Sequence, residues 1–112
     1  MIDIEHLPAL APFTYASLID YLPGQVNKLF LLRSKGLNMI LLAFDAGQSL
    51  PEHQTPGPAL VHLLEGEGSF RVHDREIRLQ AGQTLLLPAG VPHSVTSDGR
   101  FKMLLAAVLP LD

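Results

Sequence analysis

The segment Gly82–His93, GQTLLLPAGVPH, constrains the fold more than any other stretch of this chain. Its apolar run from Thr84 to Leu87 is bounded by Gly82 and by Pro88-Ala89-Gly90, and His93 follows three residues later. A run this short, bounded in this way, reads as a buried strand ended by a fixed turn. The turn delivers His93 just as the next strand begins.

The same grammar recurs along the chain. Val26 to Leu32 and Asn38 to Phe44 are strand-like runs on either side of Ser34-Lys35-Gly36 and predict a hairpin. Both runs are apolar at most positions, so their strands are covered on both faces or meet another subunit. Pro51 to Pro58, PEHQTPGP, holds three prolines. Proline lacks the N–H a central ladder needs, so this is an edge or mouth segment. Ala59 to Leu64 resumes a strand, and Glu65 to Gly68 reads as a turn. Ser69 to Val72 and Glu76 to Leu79 form a second hairpin around Asp74-Arg75. Its alternation puts Phe70, Val72, Ile77 and Leu79 on one face and Arg71, His73, Glu76 and Arg78 on the other. Pro92 to Ser97 and Phe101 to Leu109 are joined by Asp98-Gly99, a strong hairpin signal. Before all of these, residues 1–24 form an irregular arm. One helical turn is expected there over Ser17 to Leu22, with Ser17 as N-cap and Pro23-Gly24 as the stop. Residues 25–112 then make one all-β domain of about eight or nine strands, a sandwich or closed barrel.

The upstream partner of Gly82–His93 is Gly47, followed after five residues by His53, with Gly66 further on. Together these stretches resemble the two motifs of the cupin superfamily, G-x5-H-x-H-x3,4-E-x6-G and G-x5-P-x-G-x2-H-x3-N. Gly82, Pro88, Gly90 and His93 match the second motif, with Ser97 at the Asn position. Gly47, His53 and Gly66 match the first, but Thr55 stands at its second His and Ala59 at its Glu. The resemblance covers roughly half the chain and implies a double-stranded β-helix, the jelly-roll barrel.

That resemblance also implies a role for His53 and His93, whose family counterparts project into the barrel and hold a divalent metal. Imidazole suits Zn, Fe, Ni, Mn or Cu. Thr55 and Ala59 remove two of the family's four ligands, so two readings stand: a metal held weakly by His53 and His93, or two pocket histidines without one. Glu52, Gln54 and His62 are outside candidates for a third ligand, although strand parity turns each of them away from the cavity. A ligand pocket bounded by Thr55, Ala59 and Ser97 would suit a small, anionic organic molecule beside the histidines.

Composition narrows the partners. The 112 residues are 47% hydrophobic and 17% charged, with a formal charge of −3 and no cysteine. One domain of this size buries about two-thirds of its unfolded surface and folds on its own core. Without a Lys/Arg cluster there is no nucleic-acid footprint. No apolar run approaches the roughly eighteen residues of a membrane span, and the first residues lack the form of a signal peptide. A cysteine-free chain of this kind is expected in the cytoplasm. The doubly apolar first hairpin and last strand predict a homodimer. The family resemblance then implies three functions: a barrel that binds a small molecule, a metal-dependent oxygenase, isomerase or lyase acting on a small organic acid, or a structural protein with a vestigial pocket. The sequence decides neither whether catalysis occurs nor on what.

Overall fold

Short runs of four to eight residues, most of them followed within three residues by Gly, Pro or Asp, leave no room for long helices, and among the described residues the chain uses them as nine strands. In the computed structural model, which describes residues 4–110, these are β1 (Val26–Arg33), β2 (Leu37–Phe44), β3 (Ser49–His53), β4 (Ala59–Glu65), β5 (Glu67–Val72), β6 (Arg75–Gln80), β7 (Thr84–Leu87), β8 (His93–Thr96) and β9 (Phe101–Val108). Residues 1–3 of the arm and 111–112 of the β domain lie outside the described residues. A five-stranded sheet in the order β1-β2-β9-β4-β7 faces a four-stranded sheet in the order β3-β8-β5-β6, and every pairing is antiparallel. The jelly-roll expectation holds, with nine strands.

The core fills the space between the sheets. Alternation along β4 buries Ala59, Val61 and Leu63, while Leu60 faces solvent. Phe44, Phe70 and Phe101 are fully buried, and the Phe44 and Phe101 rings stack with centroids 4.3 Å apart.

The doubly apolar β2 has a local explanation. Ile40, Leu42 and Phe44 face the barrel core, whereas Leu41 and Ala43 form a second cluster with Leu31 and Ile19, joined by Tyr15, Leu18 and Tyr21. The arm therefore lies across part of the outer face of the five-stranded sheet. Polar contacts fix it there. Lys102, only 9% exposed, donates to the Ala16 carbonyl at 2.7 Å, and the Tyr21 hydroxyl donates to Glu65 at 2.6 Å. Gly24 N–H and Arg100 Nε both donate to the Asp45 carboxylate, at 2.7 and 2.8 Å.

Those donors, the Gly24 N–H first and Arg100 next, hold the Asp45 carboxyl down at about 2, below its ordinary value of 3.8. A carboxyl depressed in the folded state adds stability that is complete above its unfolded pKa and is lost as pH falls through the folded one. Urea midpoints should therefore drop between about pH 4 and about pH 2. Asp45→Asn should flatten that part of the profile, and an unchanged slope in the variant would show that the drop has another origin.

Three local expectations are corrected. The helical turn is a 3-10 turn over Tyr15–Leu18. Ser17 lies inside it, with its hydroxyl on the Thr14 carbonyl, because burial of Ile19 in the second cluster draws the chain out into extended backbone. The Glu65–Gly68 turn shrinks to Gly66 alone, since the chain passes directly from β4 in one sheet to β5 in the other. Asp98-Gly99 makes no hairpin: β8 pairs with β3 and β5, and β9 pairs with β2 and β4. That dipeptide turns the chain between sheets.

Candidate functional site

Two pieces of backbone bring the histidines together. β3 is an edge strand, where Pro51 costs no ladder hydrogen bond, and its pairing with β8 shifts between Leu50 and His53. The turn from Pro88 to Gly90 is tied down by the Gly90 N–H donating to the Thr55 carbonyl at 2.8 Å, and β8 then opens on His93. His53 and His93 are direct cross-strand partners whose ring centroids lie 4.3 Å apart at an interplanar angle of 64°.

Each ring is oriented by its own chain two residues back. His53 Nδ1 lies 3.1 Å from the Pro51 carbonyl, and His93 Nδ1 lies 3.0 Å from the Val91 carbonyl. A carbonyl only accepts, so Nδ1 is the protonated nitrogen in both rings. In the neutral ring that leaves Nε2 with a free lone pair. Burial holds His93 below the ordinary imidazole range, opposed by the Val91 carbonyl and reinforced by neighbouring His53. His93 therefore offers a hydrogen-bond acceptor near neutral pH and not a positive charge.

The space around the pair is uneven. Between the sheets a cavity of about 30 Å³ is walled by Val61, Phe70, Leu87, Val95 and Met103 along with the two histidines. It has room for about one water. Beside it, toward β1 and β2, lies a groove of about 340 Å³ along Lys28, Phe30, Ile40 and Pro51. Leu42, Leu50, Leu105 and His53 wall both spaces.

The other sequence-derived site residues stand apart from these walls. The Thr55 hydroxyl donates to the Gly57 carbonyl at 2.7 Å. Ala59, 1% exposed, sits in the core with Leu87 and Ala107 as its strand partners. Ser97 Oγ lies 3.0 and 2.9 Å from the Asp45 and Gln48 carbonyls, fastening the β2–β3 turn to the end of β8. Glu52 and Gln54 are exposed beside His53. His62 is on the outer face of β4, its Nδ1 2.7 Å from the Thr84 hydroxyl.

This donor set bears on the metal. Among the described residues no group of three His, Cys, Asp or Glu side chains gathers where it could hold an ion. Zinc sites take at least three protein ligands. Two imidazole nitrogens therefore do not fit a structural or catalytic metal centre.

Sequence reasoning missed Lys28. Its signal was parity: Val26, Lys28 and Phe30 alternate along β1, so the cation shares a face with the inward-leaning residues.

The pattern of the cupin domain family matches residues 40–108. Among solved structures, a cupin superfamily protein from Desulfitobacterium hafniense is 33% identical with a TM-score of 0.89, over 93% of this chain and 95% of that one. A conserved protein of unknown function from Streptococcus pyogenes is 27% identical with a TM-score of 0.90, over 98% and 96% of the two chains. A cupin 2 conserved barrel domain protein from Leptotrichia buccalis is 36% identical with a TM-score of 0.83, and the match takes in 86% of this chain and 47% of that one. No curated protein gives a significant match. Among the described residues no helix is long and apolar enough to cross a membrane.

Proposed function

This chain belongs to the cupin superfamily, and we propose that within it the protein is a binding barrel, holding a small organic ligand in the groove beside His53 and His93. The observation that carries this reading is the wall that the groove shares with the histidine cavity, where His53, Leu42, Leu50 and Leu105 line both. About 340 Å³ of largely apolar space abuts His53, and His93 lines the cavity beside it; the Nδ1 atoms of both rings are already engaged. Ligand sites combine such apolar walls with a few fixed polar groups. Catalysis needs an acid, base or nucleophile at the reacting atoms, and the walls offer only His53, His93 and Lys28. A cysteine-free chain suits a reducing compartment, and we place this activity in the cytoplasm.

Thermal unfolding with a panel of six- to ten-carbon acids, alcohols and amines tests the reading. A ligand at a hundred times its Kd stabilises by about 2.7 kcal/mol. Such a shift is expected in the parent, and the His53→Ala/His93→Ala double variant should lose most of it. Equal shifts in both proteins would remove the histidines from the site. Elemental analysis of protein purified without an affinity tag separates the enzyme reading. Metal well below one per chain, unchanged in the double variant, is expected from two ligands. One metal per chain that disappears in the variant would favour the metal-dependent enzyme.

We also propose a homodimer. The arm leaves Leu60, Leu86 and Val108 exposed on the outer face of the five-stranded sheet, with Leu60 and Leu86 directly paired across β4 and β7. A second copy supplies the same uncharged surface about a two-fold axis. Sedimentation equilibrium should give a dimer for the parent and a monomer for Leu60→Asp/Leu86→Asp. A parent that sediments as a monomer at micromolar concentration ends the proposal.

A further inference from the structure

Resting on the binding reading above, we propose that the ligand is a monocarboxylic acid with an apolar tail, about ten non-hydrogen atoms in all, whose carboxylate is anchored by Lys28.

Size comes first. At about 30 Å³ per water-sized unit, 340 Å³ holds roughly eleven non-hydrogen atoms. The space between the sheets admits only about one, so the body of the ligand lies in the groove. Polarity comes next. Phe30, Ile40, Leu42, Leu50 and Leu105 make the groove wall apolar, which suits a hydrocarbon chain or a phenyl ring and disfavours a sugar or a nucleotide.

Charge then selects the head group. Among the described residues Lys28 is the only lysine or arginine on the groove wall, and no carboxylate shares that wall. Among the described residues every ion pair is made by Arg78, Arg100 or Lys102, so the Lys28 ammonium is uncompensated within them. Its strand partner is Leu42, itself on the groove wall. The aliphatic stem can thus lie along the wall while the ammonium stays at its rim. His93 is held neutral by burial, so Lys28 supplies the fixed positive charge that an anion requires. The whole chain carries −3, which makes the preference local to this groove.

Isothermal titration calorimetry with sodium octanoate, 1-octanol and octylamine, three probes of similar length and different charge, tests the inference. Octanoate should bind the parent about fivefold more tightly than octanol, the strength of a good exposed ion pair, and octylamine should bind most weakly. Raising NaCl from about 20 mM to about 500 mM should close most of that gap. Lys28→Met keeps an apolar stem and should bring octanoate down to octanol without changing octanol. Lys28→Glu should reverse the order of octanoate and octylamine. Equal binding of octanoate and octanol by the parent, or an octanoate affinity unchanged in Lys28→Met, overturns the carboxylate assignment and leaves the groove as an apolar site. Failure of all three probes to bind, or binding that survives Leu50→Asp, instead overturns the site reading itself.

Discussion

Gly66→Ala is expected to destabilise the barrel by about 4 kcal/mol or more, a large part of the stability of a domain this size. Two costs combine. Gly66 has φ of 78°, a left-handed conformation that costs an L-residue about 1–2 kcal/mol. A Cβ there would also lie 2.2 Å from the Arg100 carbonyl oxygen and within 2.9 Å of Phe101 Cα and Cβ. The obstacle is mostly backbone, so no rotamer change relieves it. Gly66 is also the single residue between β4 and β5, where the chain leaves one sheet for the other, and moving it pulls on both. Gly82→Ala is the matched control. Its φ is 90°, but a Cβ there has nothing within 4 Å, so it should show the conformational cost alone. Urea unfolding of the two variants separates the terms, and equal losses would mean that the contact with Arg100 and Phe101 relaxes at no cost.

The contrast shows which parts of the fold were legible in the residues. Strand positions were, because apolar runs and turn residues act locally. The histidine pair was also legible, because Pro88 and Gly90 fix where β8 begins and Pro51 confines β3 to an edge. What a turn residue does not encode is the sheet that receives the next strand. Asp98-Gly99 therefore predicts a hairpin, although β8 and β9 belong to opposite sheets, and Glu65–Gly68 predicts a turn where a single glycine suffices. The same limit hid the place of Lys28 on the groove wall. Lys28 stands on an edge strand of one sheet, and its sharing a groove wall with Leu50 and Pro51 of the other sheet is a tertiary fact. Ser97 shows the converse. Its motif position suggested a pocket wall, but its hydroxyl is used on the Asp45 and Gln48 carbonyls.

Phe101→Ala should cost about 3–5 kcal/mol and leave a cavity that stays dry. The ring is fully buried, stacks on Phe44 with centroids 4.3 Å apart, and lies so near Gly68 that a Cβ on that glycine would meet its Cε2 and Cζ at 3.0 Å. Residue 68, without a side chain, lets β5 lie close to the ring, so the alanine variant leaves both the Phe44 side and the Gly68 side without a partner. Among the described residues the buried cluster that holds Phe101 is wholly apolar, with Phe44, Leu63, Phe70 and Met103 among its members, so that cluster offers no polar side chain to hold water. A vacancy of that character takes up benzene instead of water. Saturating benzene should therefore raise the melting temperature of Phe101→Ala and leave the parent unchanged. Phe44→Ala and the double variant complete a cycle in which the stacked pair should show about 0.5–1.5 kcal/mol of coupling. A loss near 1 kcal/mol with no response to benzene would mean that the two sheets close over the gap.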